Sequence, residues 1–163
     1  MNIEQIKGDL IVQFKYGKVK FGYKDTWSMD LVLKQIIADG VRKFKEVIIE
    51  KKDTDYVSVP ISVFTKEELS NFVDVTDEHF QRWVDILDKI IYAFEDNEPS
   101  TDDYNYTHEF IRGEPDEHGN TSMTILRSDE NEHQRWLNDS KIHKDKVLDG
   151  RKLFAEHFDG LWW

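Results

Sequence analysis

The sequence predicts a predominantly helical α+β fold, in which three main helices pack together beside an N-terminal β-hairpin and a second hairpin. Apolar residues recur with the helical period of 3.6 residues in three long segments. Two other segments alternate apolar and polar residues, as half-buried strands do. A chain of 163 residues can bury a core without disulfides or metals, so we expect a single domain over residues 1–163.

The N-terminal hairpin is predicted over residues 10–23. A two-residue loop at Gly17-Lys18 would place glycine where a type II′ turn needs a positive φ. This register sets Phe14 opposite Phe21, with the apolar residues of both strands on one face. Because an isolated hairpin is marginally stable in water, we expect that face to lie on helices.

The main helices are predicted over residues 27–46, 77–95 and 129–158. The middle helix has the clearest apolar stripe, which covers residues 80–94. Gly40, within the first helix, marks either a close helix crossing or a tolerated weak point. Large aromatic residues in these stripes and near the ends of the helices, Trp27 and Trp83 among them, predict one three-helix core.

The segment between the first two helices contains Pro60 among alternating valine and isoleucine residues. Proline cannot donate a hydrogen bond to a sheet, so this pattern favours an edge strand or an extended linker. Thr65 and Glu68 then form a capping box of the form T-x-x-E, which predicts a short helix.

Charge is distributed unevenly along the chain, whose net charge is -11. Residues 1–52 carry a net +4 and residues 53–163 a net -15, with nine acidic residues and one basic residue between Glu95 and Asn120. Such a field repels nucleic acid and anionic membranes and attracts basic protein surfaces. Two interpretations stay open: a solvated surface, or an acidic face that docks into a basic groove.

Composition and motifs remove several classes of function. The chain has no cysteine, so disulfide scaffolds, thiolate zinc sites and cysteine nucleophiles are excluded. Phosphate-loop, dinucleotide-binding, serine-hydrolase and zinc-protease motifs are absent. No apolar run reaches the roughly 18 residues of a membrane span, and the N-terminus lacks a signal sequence. We therefore expect a soluble, intracellular protein with no catalytic residue, metal or cofactor.

Histidines and carboxylates on the helices are the remaining candidates for chemistry. Asp139 and His143 lie four residues apart on the last helix, where a metal would also need carboxylates from a second helix. His157 is about 21 Å further along, at roughly 1.5 Å of rise per residue, so it cannot share that ion. The other interpretation is that both histidines border the apolar seam.

Two further groups are candidates for acid–base or metal sites. One consists of carboxylates opposite the stripe of the middle helix, which periodicity turns towards water: Asp85, Asp88 and Glu95. The other consists of His108 and His118 around the second hairpin, where a loop metal site is conceivable.

The aromatic C-terminus is an unusual feature, since chain ends are normally polar. Trp162 and Trp163 are adjacent and cannot face the same way in a helix. Either one closes the core while the other anchors a partner protein, or both pack on the N-terminal hairpin.

Three stretches together resemble a family of small acidic proteins of unassigned function from tailed bacteriophages. They are W-x-x-I-L-D-K-I-I-Y-A-F-E over residues 83–95, G-x-x-L-F-A-x-x-F-x-x-L-W over residues 150–162, and Y-K-D-T-W-S-M-D over residues 23–30. The resemblance implies a phage origin and a setting in the host-cell cytoplasm, and it implies no mechanism.

The leading hypothesis is a non-enzymatic phage accessory protein that binds a host protein through the acidic segment, which is predicted as a loop and hairpin over residues 99–127. The residues expected to contact this partner are Asp102, Asp103, Asp116, Glu117 and Trp163. Direct binding of nucleic acid is not expected, and a homo-oligomer is compatible with the opposed charges of the two parts of the chain.

The alternative hypothesis is an oligomeric protein that binds a small anionic nucleotide through basic residues of the first part of the chain. Those residues are Lys15, Lys18, Lys20, Arg42, Lys43 and Lys45.

Overall fold

A computed structural model gives the fold, and it describes residues 13–15, 18–20, 26–53, 58–95, 97–105 and 107–161. The chain divides into two compact units. The core unit comprises the described residues of Met1–Glu95 and Gly150–Trp163, and the hairpin unit comprises those of Asp96–Asp149. The expected single domain over residues 1–163 stays a prediction.

The described elements are mostly helical, as expected, with antiparallel strand pairs between them. The strands are β1 (Gln13–Lys15), β2 (Lys18–Lys20), β3 (His108–Pro115) and β4 (Thr121–Arg127). The α-helices are α1 (Met29–Lys51), α2 (Lys66–Ser70), α3 (Asp77–Phe94) and α4 (Glu130–His157). The three main helices and the second hairpin therefore confirm the predictions for their parts of the chain.

The full N-terminal hairpin predicted over residues 10–23 is not supported. Only two three-residue strands are described there, and they pair Phe14 with Val19, so the predicted pairing of Phe14 with Phe21 is wrong. The observed pairing differs from the predicted one by two residues on the second strand, and the position of the turn fixes hairpin register. The predicted turn at Gly17-Lys18 lies partly outside the described residues. The longer of the two described hairpins is β3–β4, whose strands have eight and seven residues.

Helix α1 continues to Lys51, five residues past the predicted end, because Ile48 is buried against α3 and carries the apolar stripe onward. Gly40 is exposed and a Cβ there would meet no atom within 4 Å, so it is not a helix crossing. Trp27, expected in the core, is 77% exposed because it precedes the helix whose apolar side would have carried it inward.

The segment around Pro60 forms a short 3-10 helix, Ile61–Val63, and not the predicted edge strand. Val59 and Val63 are both buried on this turn, which brings side chains four residues apart to the same side. The predicted capping box is confirmed: Thr65 accepts a hydrogen bond from the Glu68 amide, and Glu68 accepts one from the Thr65 amide.

The core lies on the apolar stripe of α3, as its period predicts. Trp83, Leu87 and Ile90 are fully buried, and Ile48 of α1 packs in the same cluster. Fully burying one such side chain stabilises the fold by roughly 1.5–3 kcal/mol. The aromatic rows meet as expected, since the ring of Trp83 lies edge-on to Phe44 with 6.3 Å between centroids.

Gly150 is the glycine that permits a close helix approach. A Cβ at this position would overlap the carbonyl oxygen of Lys89 and lie 2.5 Å from the Cβ of Ala93, so α4 contacts the backbone of α3 here. Further along α4, the ring of Phe154 contacts Phe94 in an edge-on geometry at 5.1 Å.

Candidate functional site

The hairpin unit holds four of the five predicted contact residues, and its base is fixed where β3 and β4 meet α4. Thr107 donates its amide proton to Ser128 Oγ (2.7 Å), and the Ser128 amide donates to the Thr107 carbonyl (3.1 Å). Asp129 then caps α4, because its Oδ1 accepts from the amides of Asn131 (2.9 Å) and Glu132 (3.1 Å). The hairpin is thus joined to its helix without a flexible linker.

The tip of the hairpin is organised by Asp116. Its Oδ1 accepts hydrogen bonds from the amides of Asn120 (2.8 Å) and His118 (2.9 Å), and Gly119 adopts a positive φ of 79° in the same turn. The bond from the Asn120 amide is the main reason that the pKa of Asp116 is lowered. Asp116 therefore stays charged but uses its carboxylate within the turn.

Asp102 and Asp103 lie on a 3-10 helix, Thr101–Asp103, and both are exposed. Ser100 caps this turn through a 3.2 Å hydrogen bond from the Asp102 amide. The following Tyr104 donates its hydroxyl proton to Asp139 of α4 at 2.8 Å, and this bond raises the pKa of Tyr104. The two aspartates are therefore presented to solvent on an anchored segment.

The strands expose apolar side chains on both faces of the hairpin. The register pairs Phe110 with Ile125 and Arg112 with Met123 on one face, and Ile111 with Thr124 on the other. Every apolar member of these pairs is at least 44% exposed, and Met123 reaches 64%. A two-stranded sheet that buries neither face gains little from its apolar residues, so this surface is suited to covering by another protein.

The structure places the predicted contact residues at separate points. Asp102 and Asp103 lie together on the capped turn, whereas Asp116 and Glu117 lie at the hairpin tip. The Glu117 side chain is 89% exposed. Trp163 lies outside the described residues. The exposed apolar strands between these acids are the part of the surface that charge-based reasoning missed, although their alternation was visible in the sequence.

A groove of about 450 Å³ lies between α1 and α3 in the core unit. Two of the basic residues of the alternative hypothesis, Arg42 and Lys45, line it. Arg42 pairs with Glu95 and Lys45 with Asp88. Asp85 and Asp88 are exposed, as their position opposite the stripe predicts, but two of the three carboxylates also form ion pairs with α1 that the sequence pattern did not predict. The pairing raises the pKa of Arg42, chiefly through its hydrogen bond to Glu95.

A polar cluster at the start of α3 was not predicted. Glu68 accepts two hydrogen bonds from Arg82 (2.9 and 3.0 Å), which lower its pKa to about 2. His79 is buried and accepts the Thr76 amide proton at Nδ1, as the third residue of a second capping box. Its Nε2 lies 3.3 Å from Glu68, within ion-pair distance but outside hydrogen-bond geometry. The cluster fixes the path from α2 into α3.

His157 is buried beside the core, as one interpretation of the sequence held. Its Nδ1 shares a 2.7 Å hydrogen bond with Ser62 Oγ, and its ring lies 5.6 Å from that of Trp83. Burial lowers the pKa of His157, which keeps the ring neutral near pH 7. A serine–histidine contact of this kind resembles half of a nucleophilic dyad, but neither residue lines the groove described above.

Among the described residues, no group of three or more histidine, aspartate or glutamate side chains is arranged to hold a metal ion. Asp139, one of the predicted ligand candidates, accepts the Tyr104 hydrogen bond instead. Within the same residues, no helix combines the length and the apolar character that crossing a membrane requires.

Comparison of the chain with family models, curated proteins and solved structures gave no match in any of the three.

Proposed function

We propose that the chain is a phage accessory protein that acts by binding, and that its partner is a host protein with a basic surface. The hairpin unit is the part that binds. Within the sequence of this unit, 14 acidic residues stand against six basic ones, a net charge of -8. Opposite charge accelerates encounter with a basic partner and disfavours acidic ones.

The observation that carries the proposal is the combination of charge with exposed apolar area on the same hairpin. Acidic residues alone are compatible with a solvated surface, which needs no exposed phenylalanine or methionine. Phe110 is 62% exposed and Met123 64% exposed, between the acidic turn at residues 101–103 and the acidic tip. Apolar centres with a charged rim are typical of protein interfaces.

Charge reversal on this surface tests the proposal. In the variant, Asp102, Asp103 and Glu117 are replaced by lysine, and Asp116 is left unchanged because its carboxylate holds the turn. Tagged wild-type and variant proteins are used to co-purify partners from a bacterial lysate at physiological ionic strength. We expect the basic partners to be lost from the variant, since each contact changes from attraction to repulsion.

A matched control changes the net charge equally on the core unit. Glu50, Glu67 and Asp74 are exposed there, and their replacement by lysine makes the same six-unit change in formal charge. The control variant should retain the partners. Retention of every partner by the first variant, or equal loss from both variants, contradicts binding through the hairpin unit.

The phage setting and the host cytoplasm are part of the proposal and are motivated by the three stretches that resemble phage proteins. Trp163 stays a predicted anchor for the partner.

The second candidate function is binding of a small anionic nucleotide in the groove between α1 and α3. The groove volume of about 450 Å³ falls in the range of small-molecule sites, and Arg42 and Lys45 line it. An anion would have to compete with Glu95 and Asp88 for these cations, which makes this candidate the weaker one.

A thermal-shift screen of nucleotides separates the two candidates. For the groove, the midpoint of unfolding should rise with a nucleotide, and the rise should disappear when Arg42 and Lys45 are replaced by glutamine. No shift with any nucleotide contradicts this candidate and leaves the protein-binding proposal unaffected.

A further inference from the structure

The two edges of the β3–β4 hairpin differ in chemistry. The sheet has two strands, so each strand has one outer edge that pairs with no other strand among the described residues. On β3, the charged residues Glu109, Arg112 and Glu114, together with Pro115 and an irregular register, discourage further pairing. On β4, residues 121–126 have the sequence T-S-M-T-I-L, with neither charge nor proline. The β4 edge is therefore the unprotected one.

The ladder identifies which backbone groups of β4 point outward. The Ser128 amide donates to the Thr107 carbonyl, so Thr107 and Ser128 form a hydrogen-bonded pair. Hydrogen-bonded and non-hydrogen-bonded pairs alternate along an antiparallel ladder. Arg112–Met123 and Phe110–Ile125 are then non-hydrogen-bonded pairs, so the N–H and C=O groups of Met123 and Ile125 point away from β3.

The uncharged edge is bounded by carboxylates at both ends. Glu117 lies at the tip, four residues before β4 begins, and Glu130 starts α4, three residues after β4 ends. Arg127 ends β4, but the carboxylates of Asp129, Glu130 and Glu132 follow it within five residues and outnumber it. A strand laid along β4 would therefore have its middle beside apolar residues and its two ends near net negative charge.

We propose that β4 binds an extended segment of the basic partner by strand addition, with the segment pairing to Met123 and Ile125 and its basic ends near Glu117 and Glu130. This inference rests on the proposed function and specifies how the hairpin unit binds. Main-chain hydrogen bonds supply the pairing, and the charges select the partner. A second copy of the chain would bring the same net charge of -11, which opposes self-pairing.

The test uses the full chain and a synthetic peptide with alternating valine and threonine residues between pairs of lysines. Binding is measured by fluorescence anisotropy. Two control peptides are used, one with glutamate in place of each lysine and one with alternate backbone nitrogens methylated. We expect the lysine peptide to bind and both controls to bind at least about tenfold more weakly, because they lose the charge match or the main-chain donors.

Proline substitution distinguishes binding along the β4 edge from binding along the β3 edge. Ile125→Pro removes an outward N–H from β4, and Arg112→Pro removes an outward N–H from β3, at a residue that the proposed function does not use. The two variants disturb neighbouring non-hydrogen-bonded pairs, so they destabilise the hairpin similarly. We expect Ile125→Pro to weaken peptide binding about tenfold or more and Arg112→Pro to change it less than about threefold. An NMR contact between the α-protons of His108 and Arg127, which form a third such pair, reports that the hairpin persists in each variant.

Other outcomes overturn the inference in distinguishable ways. Equal weakening by both prolines, or unchanged binding by Ile125→Pro, rejects pairing along β4. Failure of the lysine peptide to bind also rejects it, while the lysine variants of Asp102, Asp103 and Glu117 still decide the proposed function separately. Concentration-dependent dimerisation of the wild type that Ile125→Pro abolishes would make a second copy the occupant and overturn the choice of a basic partner.

Discussion

The core unit and the hairpin unit use their apolar residues in opposite ways. In the core unit, the described α3 buries Trp83, Leu87 and Ile90 completely. In the hairpin unit, the described residues that are buried are polar, His133 and Ser140, whereas the apolar side chains of the strands are exposed. Packing therefore stabilises the first unit, while caps, turns and a ladder of hydrogen bonds maintain the second. This difference is consistent with the proposed division, in which the core unit provides stability and the hairpin unit binds the partner.

The largest expected difference comes from truncating a leucine in each unit. Leu87→Ala leaves a cavity in a fully buried site and should lower the free energy of unfolding by about 2–5 kcal/mol. Leu137→Ala, on the part of α4 in the hairpin unit, removes a side chain that is 42% exposed and should change it by less than about 0.5 kcal/mol. Urea denaturation measures both. Comparable losses would mean that the hairpin unit has a core of similar importance.

Two helix glycines give the next largest contrast. Gly150→Ala should destabilise the protein by about 1–3 kcal/mol, because its Cβ would collide with the carbonyl oxygen of Lys89 on α3. Gly40→Ala has open space around it and should stabilise α1 by about 0.5–1 kcal/mol through helix propensity. The midpoint temperatures of thermal unfolding of the two variants should therefore shift in opposite directions. If Gly150→Ala stabilised the protein, that result would contradict the close contact between α4 and the backbone of α3.

The cap of α4 tests the hydrogen bonds of the hairpin unit. Asp129→Ala removes the acceptor for the amides of Asn131 and Glu132 and should cost about 1 kcal/mol. Amide hydrogen exchange should accelerate at these two residues first. Ser28→Ala serves as the control, since Ser28 precedes α1 without a side-chain cap bond, and exchange in the first turn of α1 should stay unchanged.

The smallest expected effect is a pH dependence centred on His157. Its pKa in the folded chain is lowered by burial from an ordinary value of 6.5, so the unfolded chain binds a proton more readily. The stability contribution is complete above pH 6.5 and is lost as the pH falls below it. Urea denaturation at pH 7.5 and pH 5.5 should show this decrease. The decrease should be smaller in His157→Asn, whose side chain does not titrate.

Local patterns in the sequence predicted those parts of the fold that depend on a single helix, cap or hairpin. The α3 stripe, the capping box of Thr65 and Glu68, and the β3–β4 hairpin are visible because a repeat or a spacing encodes each locally. The N-terminal register was wrong because it depends on where a two-residue loop falls, and several loop positions satisfy the same alternation. The prediction that Trp27 lies in the core was wrong because hydrophobicity alone does not say whether a residue outside a helix reaches the core.

The negative charge of the candidate site could be predicted from the sequence, but the roles and partners of its individual residues could not. Acidic composition identified residues 95–120 as the surface of interest, yet it could not separate Asp116, which holds a turn, from Glu117, which is exposed at the same tip. Nor could it pair Arg42 with Glu95, which are 53 residues apart in the chain. Such pairs depend on how two helices pack, which no local pattern contains.

The sequence by itself determined the helical stripes, the negative charge and the uncharged strand at residues 121–126, because each is a property of neighbouring residues. Only the tertiary structure decided that Gly150 and not Gly40 lies at a helix contact, and that the two edges of the hairpin stay unpaired by other strands among the described residues. Whether a side chain meets backbone or open space, and whether an edge finds a neighbour, depends on segments far apart in the chain, so it is fixed only when they pack.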